Sequence, residues 1–160
     1  NARNTYTWTE STPFGEDPPK PIQIPEELMV GTHICKSNED ITSLPNGSDM
    51  FTPKSDKFVK IAEGDSSRKS FKRLHRWRYS PAAAYGNNEV HLHPTMPRRL
   101  SVREVLRIQT VPEEYELPSD LSLTHKFKMV GNGVPVILAE AVAQSFAKVF
   151  RDGFELQNTH

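Results

Sequence analysis

An α+β module is predicted, loop-rich with short strands in its first half and helical in its second, and three observations predict it. Five of the 13 prolines fall between Pro13 and Pro25, a density that forbids helix and central strand there. Short runs of β-branched and aromatic residues bounded by turn residues then follow as far as Leu92. Beyond Pro97 the pattern changes to apolar residues at helical spacing, with readable starts and stops.

A chain of 160 residues, 36% hydrophobic and 25% charged, has the length of one domain or of a small domain with an appendage. Its mean hydropathy of -0.60 points to many loops. Twenty basic and twenty acidic side chains cancel, but they are unevenly placed. Six basic residues and no acidic one lie between Arg68 and Arg78, whereas Glu113, Glu114, Glu116 and Asp120 follow one another without a base between them. The single cysteine, Cys35, makes no internal disulfide, so nothing suggests an oxidising compartment. No uninterrupted apolar run approaches the ~20 residues of a membrane span, and the N-terminus is unlike a signal peptide. A cytoplasmic location without a membrane partner is therefore expected. The start at Asn1 fits a piece of a longer protein, with residues 1–2 as a cloning scar.

Taken in order, residues 1–25 are expected to form a proline-rich arm or linker. Glu26 to Ile34 is too short for its period to decide between helix and strand. Leu44-Pro45-Asn46-Gly47-Ser48 carries turn chemistry, because Asn-Gly readily supplies positive φ. Phe58 to Ala62 is predicted as a short strand closed by Glu63-Gly64-Asp65. Lys69, Lys72, Arg73, Arg76 and Arg78, with Phe71, His75 and Trp77 interleaved, suit a phosphate backbone and exposed bases, although a solvated basic face has the same composition. Ser80 to Tyr85 and Glu89 to Leu92 are predicted as two more strands joined at Gly86-Asn87-Asn88. His91 and His93 lack further ligands at metal-binding spacing, and structural histidines are the expectation.

Ser101-Val102-Arg103-Glu104 has the form of a capping box, so a helix should start at Ser101. Val102, Val105, Leu106 and Ile108 are its apolar side, and Arg99, Arg103 and Arg107 share a strip that needs partners. Pro112 ends it. A second helix is predicted from about Ser122 to Val130, stopped by Gly131-Asn132-Gly133 through left-handed backbone. Val134-Pro135 restarts helix to about Arg151-Asp152-Gly153, with Glu140, Gln144 and Lys148 as its polar strip. Val134, Leu138, Ala141, Val142, Ser145, Phe146 and Val149 are expected to face inward.

His93-Pro94, Arg98-Arg99-Leu100-Ser101-Val102-Arg103-Glu104, Arg107-Ile108-Gln109, Pro112 and Gly131-Asn132-Gly133-Val134-Pro135, in this order and spacing, resemble the C-terminal end of a bacterial cytosine-5 DNA methyltransferase. The resemblance covers roughly residues 73 to 150. It implies a target-recognition small domain at 26–130, with the variable recognition region from about Glu10 to Arg73. A helix at 131–151 would dock on the absent doubly wound α/β catalytic domain, and a tail would occupy 152–160. It further implies transfer of a methyl group from S-adenosylmethionine to carbon 5 of a cytosine flipped out of double-stranded DNA. In that family the nucleophile comes from a Pro-Cys phrase and an assisting carboxylate from a Glu-Asn-Val phrase. Cys35 follows Ile34, and no Glu-Asn-Val occurs, so no catalytic residue is carried over.

The resemblance places Asn132, Gly133 and Val134 beside the cofactor. It makes Ser101, Arg103 and Glu104 structural, with Arg103 in a buried ion pair. Arg98 and Arg99 join the basic cluster as DNA-contact candidates. Val111 stands where the family favours an aromatic, and Ser80-Pro81-Ala82-Ala83-Ala84 stands where a Pro-Thr strand is common. The N-terminal catalytic part is the implied partner, and the chain alone is expected to be inactive. A stand-alone DNA-binding or regulatory module, or a chain that self-associates through residues 134 to 150, remains open at this point.

Overall fold

The computed structural model describes residues 2–82, 85 and 89–157, with side chains from 4 to 151 of these. Six helices succeed one another: α1 (Ala2–Thr5), α2 (Val30–Ile34), α3 (Lys57–Lys60), α4 (Val102–Ile108), α5 (Leu123–Asn132) and α6 (Val136–Gln157). Two 3-10 turns, Glu26–Leu28 and Ile41–Ser43, and long loops connect them.

Among the described residues the expected strands do not form, and the extended pairings are isolated bridges, Thr12 with Glu63, Arg73 with Leu92, and Leu92 with Arg99. Phe58 to Ala62 is instead entered through α3. Ser55 Oγ accepts the Lys57 amide, and Phe58 and Ile61 share a buried helical face three residues apart. Around Leu92 the backbone is extended, but an arginine takes carbonyls that surround it. The Arg73 guanidinium donates to the carbonyls of Ile61, Phe58, His93 and Met96. Residues 83–84 of the third expected strand and the Gly86-Asn87-Asn88 turn lie outside the described residues.

The main core gathers around α4. Leu100, Val102, Val105 and Leu106 pack with Val30 and Ile34 of α2, Phe127 and Val130 of α5, and Leu74, Tyr85, Val90 and Leu117 from the loops. A smaller cluster joins Phe58, Ile61 and Leu92 against Phe71. Asn46 adopts φ 57, as an Asn-Gly turn requires. Its side chain accepts the Leu117 amide and donates to the Leu117 carbonyl, tying that turn to the chain after α4.

The junction of α5 and α6 differs from expectation in its cause. Helix α5 continues through Gly131 and Asn132 and ends at Gly133, whose φ of -73 and ψ of 157 are extended rather than left-handed. Pro135 disfavours helical geometry at Val134, the residue before it, so α5 does not run on into α6. Helix α6 then runs past Gly153 to Gln157, longer than its sequence signals suggest.

The residues of α6 expected to face inward are exposed. Eight large apolar side chains from Val134 to Phe150 are between 42% and 68% accessible. By length and hydropathy the joined stretch Leu123–Arg151 reaches what a membrane crossing needs. The break at Gly133 and the polar strip, where Gln144 Nε2 donates to Glu140 Oε1, make it two amphipathic helices instead.

Candidate functional site

Helix α4 is fixed at its start by the capping box. Ser101 Oγ accepts the Glu104 amide and the Glu104 carboxylate accepts the Ser101 amide. Arg98 then closes a bidentate pair on Glu104, both bonds 2.7 Å long. His93 Nε2 lies 3.5 Å from the same carboxylate. Burial works to raise the Glu104 pKa, but the Arg98 hydrogen bonds, with the nearby charges and the Ser101 amide, hold it below its ordinary value.

The arginine strip finds three kinds of partner. Arg107 pairs with Glu39 and Glu113. Arg103, fully buried, donates to the carbonyls of Pro45, Pro112 and Tyr115, and Glu113 lies 3.8 Å away. Carbonyl oxygens therefore meet Arg103 more closely than the expected ion pair does. The Arg99 guanidinium stands 5.3 Å from the Phe51 ring centroid and 5.1 Å from that of Phe71.

The far end of α4 is joined to α6. The Gln109 carbonyl accepts the Val136 amide, and Thr110 Oγ1 accepts the Ile137 amide. These are two of the amides that a helix start leaves without internal partners. Beside this joint opens a cavity of about 580 Å³, walled by Gln109, Thr110, Gly131, Gly133, Pro135, residues 79–82 and the turn before α2. Asn132, Gly133 and Val134 are all exposed, and Gly133 presents its backbone to the cavity. Gln109 Oε1 is buried there without a hydrogen bond.

The basic cluster is largely turned inward. Arg73 is 1% exposed, and its guanidinium lies 4.1 Å from the Phe14 ring centroid. Arg76 binds Glu63 with Nε and Nη2 and Asp17 with Nη1. Arg78 donates to the carbonyls of Thr9 and Gly64, and Trp77 Nε1 donates to that of Pro18. The N-terminal arm is thus strapped across residues 73–78, and Thr12 exchanges two backbone bonds with Glu63. Lys69 is exposed and Lys72 half-buried.

Cys35 is half-buried and has no disulfide partner. Burial, partly opposed by Arg76, pushes the Cys35 thiol up to about 11, which disfavours the nucleophilic thiolate. His91 and His93 are buried, and among the described residues no cluster of potential metal ligands occurs.

The profile of C-5 cytosine-specific DNA methylases matches residues 23–148. The chain belongs to that family. It is 44% identical over 154 residues to the type II methyltransferase M.NmeDI of Neisseria meningitidis serogroup C, covering 95% of this chain and 36% of that protein. It is 41% identical over 71 residues to the type II methyltransferase M.BspRI of Lysinibacillus sphaericus, covering 39% of this chain and 17% of that protein. To M.Eco47II of Escherichia coli it is 47% identical over 53 residues, covering 33% and 12%. The chain thus spans about a third, or less, of the length of these relatives. No solved structure matches it.

Two features of the site escaped the sequence. Glu63, fully buried at the centre of the basic cluster, carries no local signal beyond its place before Gly64. Gln109 belongs to a recognisable phrase, yet only the fold shows its side-chain oxygen buried without a hydrogen bond.

Proposed function

We propose that this chain is the C-terminal, target-recognition portion of a type II DNA (cytosine-5-)methyltransferase. Residues 26–130 form its recognition domain, and residues 131–151 dock on the catalytic domain of the same cytoplasmic enzyme. The observation that carries this reading is α6, a helix anchored at its first turn to Gln109 and Thr110 that leaves its apolar face uncovered. Monomeric proteins rarely expose apolar patches beyond a few hundred Å², and family membership supplies a doubly wound sheet for this one to cover.

Asn132, Gly133 and Val134 would line one wall of the S-adenosylmethionine site. Their exposure and the adjacent cavity fit a wall that another domain completes. When bound, S-adenosylmethionine supplies an electrophilic methyl group. This chain contributes orientation and DNA contacts, and the Pro-Cys and Glu-Asn-Val phrases are expected in the remainder of the parent protein. Double-stranded DNA is the proposed nucleic-acid partner.

The test is methylation of duplex DNA by the chain alone and after addition of the separately produced remainder of the parent enzyme. No transfer alone and transfer on mixing is the expected result. Transfer by this chain alone overturns the proposal, and failure of the mixture would favour a separate DNA-binding module.

A further inference from the structure

With Arg73, Arg76 and Arg78 consumed inside the fold, the cations available to DNA must be sought elsewhere. A groove of about 520 Å³ lies between the 50–58 loop, Phe71 and Arg99. Among the described residues no carboxylate lines it. Lys54 lines it, exposed, and Lys57 places its ammonium 5.5 Å from the Phe71 ring centroid. The same ring receives Arg99 at 5.1 Å and packs edge-on against Phe58.

Phe71 adopts φ 60. A bulky residue rarely takes left-handed backbone, and such outliers gather at binding sites. Here the conformation sets an aromatic ring near Lys57 and Arg99 in the lining of an open groove. Cations flanking aromatic faces suit a nucleic-acid strand, because charge answers the phosphates while a ring face accepts a sugar or base.

We propose that this groove holds one strand of the target DNA, with Lys54 and Lys57 on its phosphates and Phe71 beside a sugar or base. The proposal rests on the DNA-recognition reading above and gives that recognition a surface. The alternative surface, residues 73–78, lies beneath the arm.

Binding of the 160-residue chain to duplex DNA, measured over a range of salt concentrations, tests it. Each phosphate contact contributes about 0.9 to the slope of log K against log salt. Lys54→Gln and Lys57→Gln should each reduce the slope by about 0.9, and the double variant by about 1.8. Lys36→Gln, outside the groove, should leave it unchanged. Lys54 and Lys57 are both exposed, so a circular dichroism spectrum identical to the parent's is expected for each variant. Salt-sensitive binding whose slope survives in the double variant overturns the groove and leaves the recognition reading standing. Absence of DNA binding by the unmodified chain overturns both.

Discussion

Thr110 Oγ1 accepts the amide of Ile137 at 3.1 Å, so a residue just beyond α4 also caps the first turn of α6. Thr110 does this from φ 55, an uncommon conformation for a β-branched residue. The strain places its hydroxyl opposite the first turn of α6. With the Gln109 carbonyl on Val136, this sets the direction in which α6 projects.

Thr110→Val keeps the shape and loses the cap. It should lower stability by about 1 kcal/mol and speed hydrogen exchange at Ile137, while α4 keeps its protection. Amide exchange followed by NMR or mass spectrometry checks both halves of that expectation.

The capping box and its arginine form a graded series. Ser101→Ala removes one cap and should cost about 1 kcal/mol. Glu104→Ala strips Arg98 of its buried partner and should cost about 3 to 5 kcal/mol. Urea unfolding of the two variants against the parent measures the difference.

Acid should destabilise the domain through its histidines before its carboxylates titrate. Burial holds His91 at about 4, with Lys72 acting in the same direction. Burial also holds His93 at about 4, against the raising influence of Glu104. An unfolded histidine takes its proton near pH ~6.5. Between that pH and about 4 the unfolded chain binds more protons, so stability is complete above the window and falls as pH drops through it. Each histidine should account for a loss on the order of 3 kcal/mol. Burial also holds His75 below its ordinary value, so His91→Leu should reduce the pH dependence, read from urea unfolding between pH 7 and 4, without abolishing it.

Much of the second half was legible because its signals are local. The Ser101 and Glu104 pair announces its own helix, and Ser122 caps α5 as its position suggests. The first half was not legible, because its order comes from side chains that cross long sequence distances. Arg76 meets Asp17 59 residues away, and Asn46 meets Leu117 71 residues away. No short-range period encodes such contacts. A five-residue run such as Phe58 to Ala62 fits either period, and here burial of Phe58 with Ile61 selects the helical one. For the candidate site, the phrase at Gly131 to Pro135 was readable, whereas the cavity beside it required α2 and α4 to be assembled.

Arg76 holds two carboxylates of opposite worth. Glu63 is buried, whereas the Asp17 side chain is 90% exposed. Asp17→Asn should change stability by less than about 1 kcal/mol. Glu63→Gln should cost about 3 kcal/mol or more, since it leaves Arg76 and the backbone around it without their charged acceptor.

The central claim is that the uncovered face of α6 seats this recognition lobe on the rest of its parent enzyme. Sedimentation velocity of the chain mixed with the separately produced remainder of that enzyme tests it most directly. A one-to-one complex should form, and replacing Val142 and Phe146 together by aspartate should abolish it without unfolding residues 26–130. A mixture that shows no complex, or a doubly substituted chain that associates as tightly as the unmodified one, would contradict the claim.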